Sequence, residues 1–504
     1  MFLFMILPPL ICAAFGVGML ITSLRDHLAK PGWQGRTPPE WQVKRTHRRA
    51  LIVLGVCSVL SLLPAFFGQG SEVYLADFVG LVPIYFRCDR VSALFLTVIT
   101  LVWFIVCIYS FKYMKHEGND RRFYGFYLIV YAVLVSLCYS GNLITLYFFY
   151  ELMTITSMPM VLHSGTRESI MASLKYLFYS MAGAYSALFG IYILYSTCST
   201  LNFTEGGSMD AAKAAEHPIL TGVAVLMILI GFGAKAGMLP LHGWLPAAHP
   251  VAPAPASAVL SAIIVKGGVL AVVRSVFYVI GADYIRGSWM QYTWMGLSLV
   301  TVLMGSMLAY KEKIFKKRLA YSTVSQVSYI MFGLSCLSET AVQGALLHVV
   351  FHALIKSALF MTAGIFIFRT GNTVVEDYEA IGKKYPVTLW AYTIASLGLI
   401  GIPPCSGFIS KWYLAQGALE SDIGFLRYVG PAVLLVSALL TAGYLLPITI
   451  KGFLPGRENT LAREREKCDS MTITLLILAA LSILLGIIPN PLNEFISSIA
   501  AAIV

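Results

Sequence analysis

The stretch GFGAKAGMLPLHGWLPAAHPVAPAPASAVLSAIIVKGG, residues 231–268, decides how this chain is read. It opens inside an apolar run and at once places a lysine, Lys235, where lipid or protein is expected around it. Pro240, Pro246, Pro250, Pro253 and Pro255 then break the helix, and an apolar helix resumes that carries a second lysine, Lys266. Ionisable groups at membrane depth are costly and mark ion or substrate paths. Broken helices at that depth persist where they line a cavity or are buried in protein. The two devices together predict a membrane protein with an ion path.

Composition agrees. Of 504 residues 58% are hydrophobic and 12% charged, with a mean hydropathy of +0.76. A soluble domain carries about 25% charged residues. The net charge of +11 lies almost wholly in short loops between apolar runs, the pattern of membrane topology, and no basic-aromatic patch suggests nucleic acid. Nine scattered cysteines with no C-x-x-C give no support to disulfides, zinc or iron–sulfur ligation. The first run, residues 1–21, lacks a basic leader and reads as a retained helix.

At roughly 20 apolar residues per span, fourteen spans are expected: 1–23, 50–67, 91–111, 123–139, 142–163, 169–197, 217–238, 254–280, 289–309, 321–337, 341–368, 386–418, 428–450 and 471–489. Loops after odd-numbered spans are basic. Arg25, Lys30, Arg36, Lys44, Arg45, Arg48 and Arg49 follow the first; Lys311, Lys313, Lys316, Lys317 and Arg318 follow the ninth; Lys451, Arg457, Arg463, Arg465 and Lys467 follow the thirteenth. Loops after even-numbered spans are neutral or mixed. The positive-inside rule then places both termini outside the cytoplasm.

A second break, GIPPCSGF at 401–408, is followed by Lys411. Spans 7 and 12 each pair a break with a lysine and lie five spans apart. An odd offset inverts one copy relative to the other, the mark of an inverted repeat. The fold expected is all-α and polytopic: N-terminal helices over 1–122, one five-helix repeat over 123–280, its inverted copy over 289–450, and a loop with a last span over 451–504. Residues 490–504 leave no room for a long lateral helix. GFGAKAG (231–237) lies within an apolar span, without the strand-turn-helix setting of a dinucleotide site, so no cofactor is expected on this chain.

Glu151 falls in the middle of span 5. If it reaches Lys235, a pair at about 4 Å with an effective dielectric near 20 is worth about 4 kcal/mol. Such a pair can hold the lysine protonated and release its proton when loosened; the alternative is an ion pair that only fixes two helices. His348, His352 and Lys356 in span 11 are spaced i, i+4, i+8, about 6 Å apart along one helix face. That interval suits proton hopping through a water. A two-histidine metal site or plain helix packing is the alternative. Lys266 and Lys411 extend the series, with snorkelling as the other reading. Burial penalises a charged amine, so buried lysines can take and release protons. Lys175, near a span end, and His242 and His249, flanking Trp244 in the first break, are accessory candidates for the cytoplasmic inlet. Asp89 reads as an N-cap. Tyr321, Ser322, Thr323, Ser325, Gln326 and Ser328 give span 10 a polar face.

The segments YELMTITSMPMVLH (150–163), 231–262, KRLAYSTVSQVSYI (317–330), LLHVVFHALIKSALFMTAG (346–364) and GIPPCSGFISKW (401–412) together resemble the antiporter-like subunits of respiratory complex I, Mrp-type cation/proton antiporters and membrane-bound hydrogenases. The SGFISKWYLA stretch looks closer to the Mrp and hydrogenase members. The resemblance implies a proton path through Glu151, Lys235, Lys266, His348, His352, Lys356 and Lys411. It further implies a prokaryotic-type cytoplasmic membrane and partners that include sister antiporter-like chains and a peripheral redox arm. The ions implied are protons, with sodium a further candidate. Ala247 departs from the family, which often has a charged residue there. A redox-driven proton subunit, a subunit of a sodium/proton antiporter and a structural anchor for a peripheral enzyme all remain open on the sequence.

Overall fold

Long apolar runs have one local way to satisfy their backbone in hydrocarbon, the α-helix, and the computed structural model of this chain is built that way. It describes residues 1–29, 39–78, 82–454 and 466–504; Lys30, Arg36, Arg457, Arg463 and Arg465 of the basic loops lie outside them. Among the described residues, eleven helices are long and apolar enough to cross a membrane. The expected count of fourteen is not reproduced by that criterion. Two of the other three stretches are helices that Glu151 or a run of hydroxyls makes more polar, Leu143–Val161 and Phe315–Ser335. The third is divided into Pro386–Ile400 and Ser406–Glu420.

Two helices form the centre. In Ala254–Ile280 the most apolar window is completely buried within the chain, and in Glu339–Thr370 it is 94% buried. A helix apolar on all sides belongs inside a bundle, and these two carry Lys266 and the His348–His352–Lys356 series. The helices Phe2–Asp26 and Leu426–Phe453 bury only a third of theirs and form the outer surface. Ala254–Ile280 also contains two π-helical turns, Leu260–Ile264 and Val276–Ile280. The Val265 N–H bonds to the Leu260 carbonyl and the Gly281 N–H to that of Val276, each five residues back.

Both breaks are present. Pro218–Lys235 ends in a turn at 236–243 and resumes as Trp244–Val251. Freed polar groups there are met from elsewhere in the protein. Trp244 donates to the Ala234 carbonyl at 2.9 Å, Thr301 accepts from the Leu239 N–H at 3.1 Å, and Ser257 donates to the His249 carbonyl at 3.1 Å. The second break, between Ile400 and Ser406, turns at Gly401 with φ +93°.

One element lies beyond what the sequence reading includes: an antiparallel hairpin of Glu72–Phe78 and Val82–Arg87. It sits with the loops after even-numbered spans, bridging from Phe86 to Ser140, and Arg87 donates to the Phe203 carbonyl at 2.8 Å. Beside it Asp89 caps the helix Arg90–Glu117, as expected, and also holds Arg274 from the central helix in a two-point ion pair of 2.5 and 2.7 Å. Residues Asn490–Ile503 form a last short helix packed on Glu339–Thr370, tied by Gln343 to Asn493 at 2.8 Å.

Candidate functional site

Lys235 is the last residue of its half-helix and is 0% exposed. Its ammonium donates to Thr154 Oγ1 at 2.7 Å, Tyr176 Oη at 2.9 Å and Ser180 Oγ at 3.1 Å. Three donors meet three acceptors, so the group is fully satisfied without an anion. The Tyr176 ring lies 4.4 Å away and the Trp244 ring 5.8 Å away, within cation–π range. Ser157 in turn holds the Tyr176 hydroxyl at 2.7 Å.

The postulated Glu151–Lys235 contact is absent: no ion pair within 4.0 Å joins them among the described residues. Glu151 sits one turn before Thr154, partly exposed on the outside of the chain, with Tyr147 Oη at 3.3 Å. The pair fails because Thr154, not Glu151, lies on the face of Leu143–Val161 that meets Lys235. The hydroxyl cage of Thr154, Tyr176 and Ser180 was missed by sequence reasoning. Its only trace there is the i, i+4 spacing of Tyr176 and Ser180.

Lys266, 1% exposed, contacts Nδ1 of His352 directly, joining the two central helices. The rings of His352 and His348 are 5.9 Å apart. His348 Nδ1 shares a hydrogen bond with Ser410 Oγ at 2.8 Å, one residue from Lys411. The Nε2 atoms of both histidines are buried and have no partner among the described residues. Lys356, completely buried, donates to the Leu319 carbonyl at 3.0 Å. Lys411 is partly exposed and donates to the carbonyls of Leu399 and Ile400 at 2.6 and 2.9 Å. Those are terminal carbonyls of Pro386–Ile400, which lack partners within their own helix. The break at 401–405 therefore creates the seat for the lysine that follows it.

Gly268 brings the first break against the central helix. A Cβ there would stand 2.7 Å from the Phe232 carbonyl and from the Ala236 nitrogen, so only glycine allows this approach beside Lys235. Among the described residues none of Lys235, Lys266, Lys356 and Lys411 has a carboxylate within 4.0 Å. Hydroxyls, carbonyls, rings and a histidine surround them instead.

The accessory residues divide. Lys175 is exposed, its Nζ 5.8 Å from the Tyr179 ring centre, and stands apart from the buried series. His242 is half-buried, and its Nδ1 has no partner among the described residues. His249 is fully buried against Phe360, and neither of its ring nitrogens has a hydrogen-bond partner among the described residues. Lys316, counted in the sequence as a loop charge, is buried and donates to the Ala252 carbonyl at 2.7 Å.

A fold of buried amines and imidazoles strung between two broken helices defines a polytopic ion-path protein, and comparison with known proteins makes this specific. Residues 140–441 match the family described as NADH:quinone oxidoreductase/Mrp antiporter, TM, and residues 80–124 match the N-terminal region of complex I chain 5. The chain belongs to the NADH:quinone oxidoreductase/Mrp antiporter family and is an integral membrane protein. It is 32% identical to NADH-quinone oxidoreductase subunit N of Desulforudis audaxviator, over 90% of this chain and 83% of that one. It is 32% identical to hydrogenase-4 component B of Escherichia coli, over 82% of this chain and 64% of that longer protein. Against an Na(+)/H(+) antiporter subunit of Alkalihalophilus pseudofirmus it is 27% identical over 82% of each. The same fold occurs in a chain of the membrane-bound sulfane sulfur reductase, an archaeal respiratory membrane complex (TM-score 0.82, 23% identity, 99% of this chain and 96% of that one). It occurs also in a chain of the Mrp complex from Dietzia sp. (TM-score 0.80, 22% identity, 99% and 98%). Its structural neighbours are thus chains of multisubunit membrane complexes.

Proposed function

We propose that this chain is a proton-translocating membrane subunit of a multisubunit complex driven by a redox reaction carried out on other subunits. One observation carries the reading: four lysines and two histidines stand within the helix bundle, held by neutral dipoles and by one another. Among the described residues no carboxylate stands within 4.0 Å to hold such an ammonium charged permanently, so each amine can take and pass on a proton. The row runs from Lys235 to Lys266 and His352, then through His348 to Lys411, with Lys356 beside it. At its two ends Glu151 and Lys411 are partly exposed on the outside of the chain, where neighbouring membrane subunits, sister antiporter-like chains among them, would take up the relay.

In this reading 123–280 and 289–450 are inverted copies, both termini lie on the non-cytoplasmic side of a prokaryotic-type cytoplasmic membrane, and this chain binds no cofactor. Flavin, nickel and iron–sulfur groups belong to a peripheral arm. The test is proton pumping by the assembled complex in vesicles: Lys235→Ala and Glu151→Gln abolish translocation while the complex stays assembled, and normal pumping in both sinks the proposal. The likeness to an Na(+)/H(+) antiporter subunit favours a second reading, an antiporter without redox chemistry. Sodium-dependent proton flux in vesicles without electron donors, together with co-purifying partners that carry no redox sites, would select it.

A further inference from the structure

The helix Phe315–Ser335 carries a column of hydroxyls that the lysine row does not use. At one end Tyr444, from Leu426–Phe453, donates to Ser322 Oγ at 2.6 Å and reaches Thr441 Oγ1 at 3.3 Å. One turn further along, three serines from three helices meet. Ser306 Oγ lies 2.6 Å from Ser437 Oγ and 2.8 Å from Ser325 Oγ, and Ser325 and Ser437 are 3.2 Å apart. Another turn on, Tyr329 donates to the Leu434 carbonyl at 2.8 Å. Its ring centre is 5.0 Å from Lys411 Nζ and 5.8 Å from the stacked His348 ring. All these hydroxyl residues are buried.

Two further features set the column apart from ordinary helix packing. Hydroxyls that only pack usually bond back to their own helix, as Ser328 does to the Val324 carbonyl at 2.9 Å. The three serines bond one another across helices. Beside them Gln326 is 0% exposed, and among the described residues neither atom of its amide has a hydrogen-bond partner, which leaves unmet polar groups along the column. At its Tyr444 end the column opens on a cavity of about 250 Å³ lined by Tyr444, Arg318, Glu376, Glu379 and Lys451. That cavity lies on the face of the basic loops.

We propose that this column is a second proton inlet, running from the basic-loop face to Lys411 without passing Lys235. The proposal rests on the proton-translocating reading above. Tyr444 gives its hydroxyl proton inward and recovers one from water in the cavity. Each hydroxyl beyond it accepts one proton and passes on its own, so one proton leaves the cavity and one arrives on the Lys411 amine, which becomes an ammonium. The hydroxyls then rotate back. On the helix Phe315–Ser335 the positions 322, 325 and 329 follow one another by about one turn, 5–6 Å, the reach of a single bridging water, and Lys411 Nζ lies 5.0 Å from the Tyr329 ring centre.

The experiment uses the intact complex in vesicles and reads the initial rate of proton translocation for Ser437→Ala, Ser437→Thr, Tyr444→Phe and Lys411→Ala, with assembly followed on native gels. Ser437→Ala and Tyr444→Phe are expected to slow translocation on the order of tenfold, the cost of one relay hydrogen bond. Ser437→Thr, which keeps a hydroxyl, retains the parent rate. Parent rates in Ser437→Ala and Tyr444→Phe while Lys411→Ala is inactive overturn the column and leave the proton-translocating reading intact. A fully active Lys411→Ala overturns both. Should Ser437→Ala fail to assemble, Tyr444→Phe decides, because it keeps the ring and loses only the hydroxyl.

Discussion

Replacing Thr154 by valine tests the cage around Lys235 with almost no change of shape. Valine keeps the volume and branching of threonine and removes the acceptor that stands 2.7 Å from Nζ. A hydrogen bond to a charged group is worth about 1.5–3 kcal/mol. Because these bonds favour the ammonium over the amine, losing one shifts the protonation balance of Lys235 roughly 10- to 100-fold toward the neutral form. Restoring the charge then takes correspondingly more protons, so the curve of translocation rate against pH moves toward lower pH by about one to two units. The assay is the initial rate of proton uptake by vesicles carrying the whole complex, over a series of external pH values. Thr154→Ser keeps the hydroxyl and superimposes on the parent. A Thr154→Val curve that also superimposes would refute the idea that the cage sets the charge on Lys235.

Other perturbations follow from the same geometry. Arg274→Met leaves the Asp89 carboxylate without the guanidinium that meets it at 2.5 and 2.7 Å; a loss of about 3–5 kcal/mol is expected, read as a lower unfolding temperature. Arg274→Lys recovers only part of it, since an ammonium cannot grip two oxygens at once. Asp469 caps the helix Ser470–Ile487 and meets Lys112 and Arg369. Burial pushes its carboxyl up, but the Lys112 hydrogen bond and the Arg369 charge leave it below the usual value. Its contribution is therefore present above about pH 4 and is lost as pH falls through the lowered value. In Asp469→Asn that acid-dependent part of the melting temperature disappears. Gly407→Ala sets a Cβ 1.9 Å from the Gly398 carbonyl, across the second break. The two half-helices must separate, Lys411 loses its carbonyl seat, and translocation is expected to stop in a chain that still inserts.

Much of this architecture is legible in the sequence because its signals are local. A lysine inside an apolar run and a Gly-Ile-Pro-Pro break followed by Lys411 announce themselves within a dozen residues. What was missed depends on which helix faces which. Glu151 and Thr154 are three residues apart, and hydropathy cannot tell which of them meets Lys235. Lys316 stands among Lys313, Lys317 and Arg318 and reads as a loop charge, yet the fold carries it inside to a helix-terminal carbonyl. The strands Glu72–Phe78 and Val82–Arg87 are seven and six residues long, too short for a search for twenty-residue spans to find. The span count suffers in the opposite way. The helix Leu143–Val161 is made less apolar by the very residue, Glu151, that makes it a candidate for function.

The π turn at Leu260–Ile264 holds one residue more than the α-helical path requires, and each residue turns a helix by about 100°. Everything after Ile264 is therefore set at a different angular phase from everything before it. The contact of Lys266 with His352, and the seat of Gly268 against Phe232 and Ala236, depend on that phase. Deleting Ala262, Ile263 or Ile264 would remove no polar side chain. It would still swing Lys266 away from its partner by about a quarter of a revolution, so the spacing of this segment is as much a part of the proposed ion path as the lysine it aims.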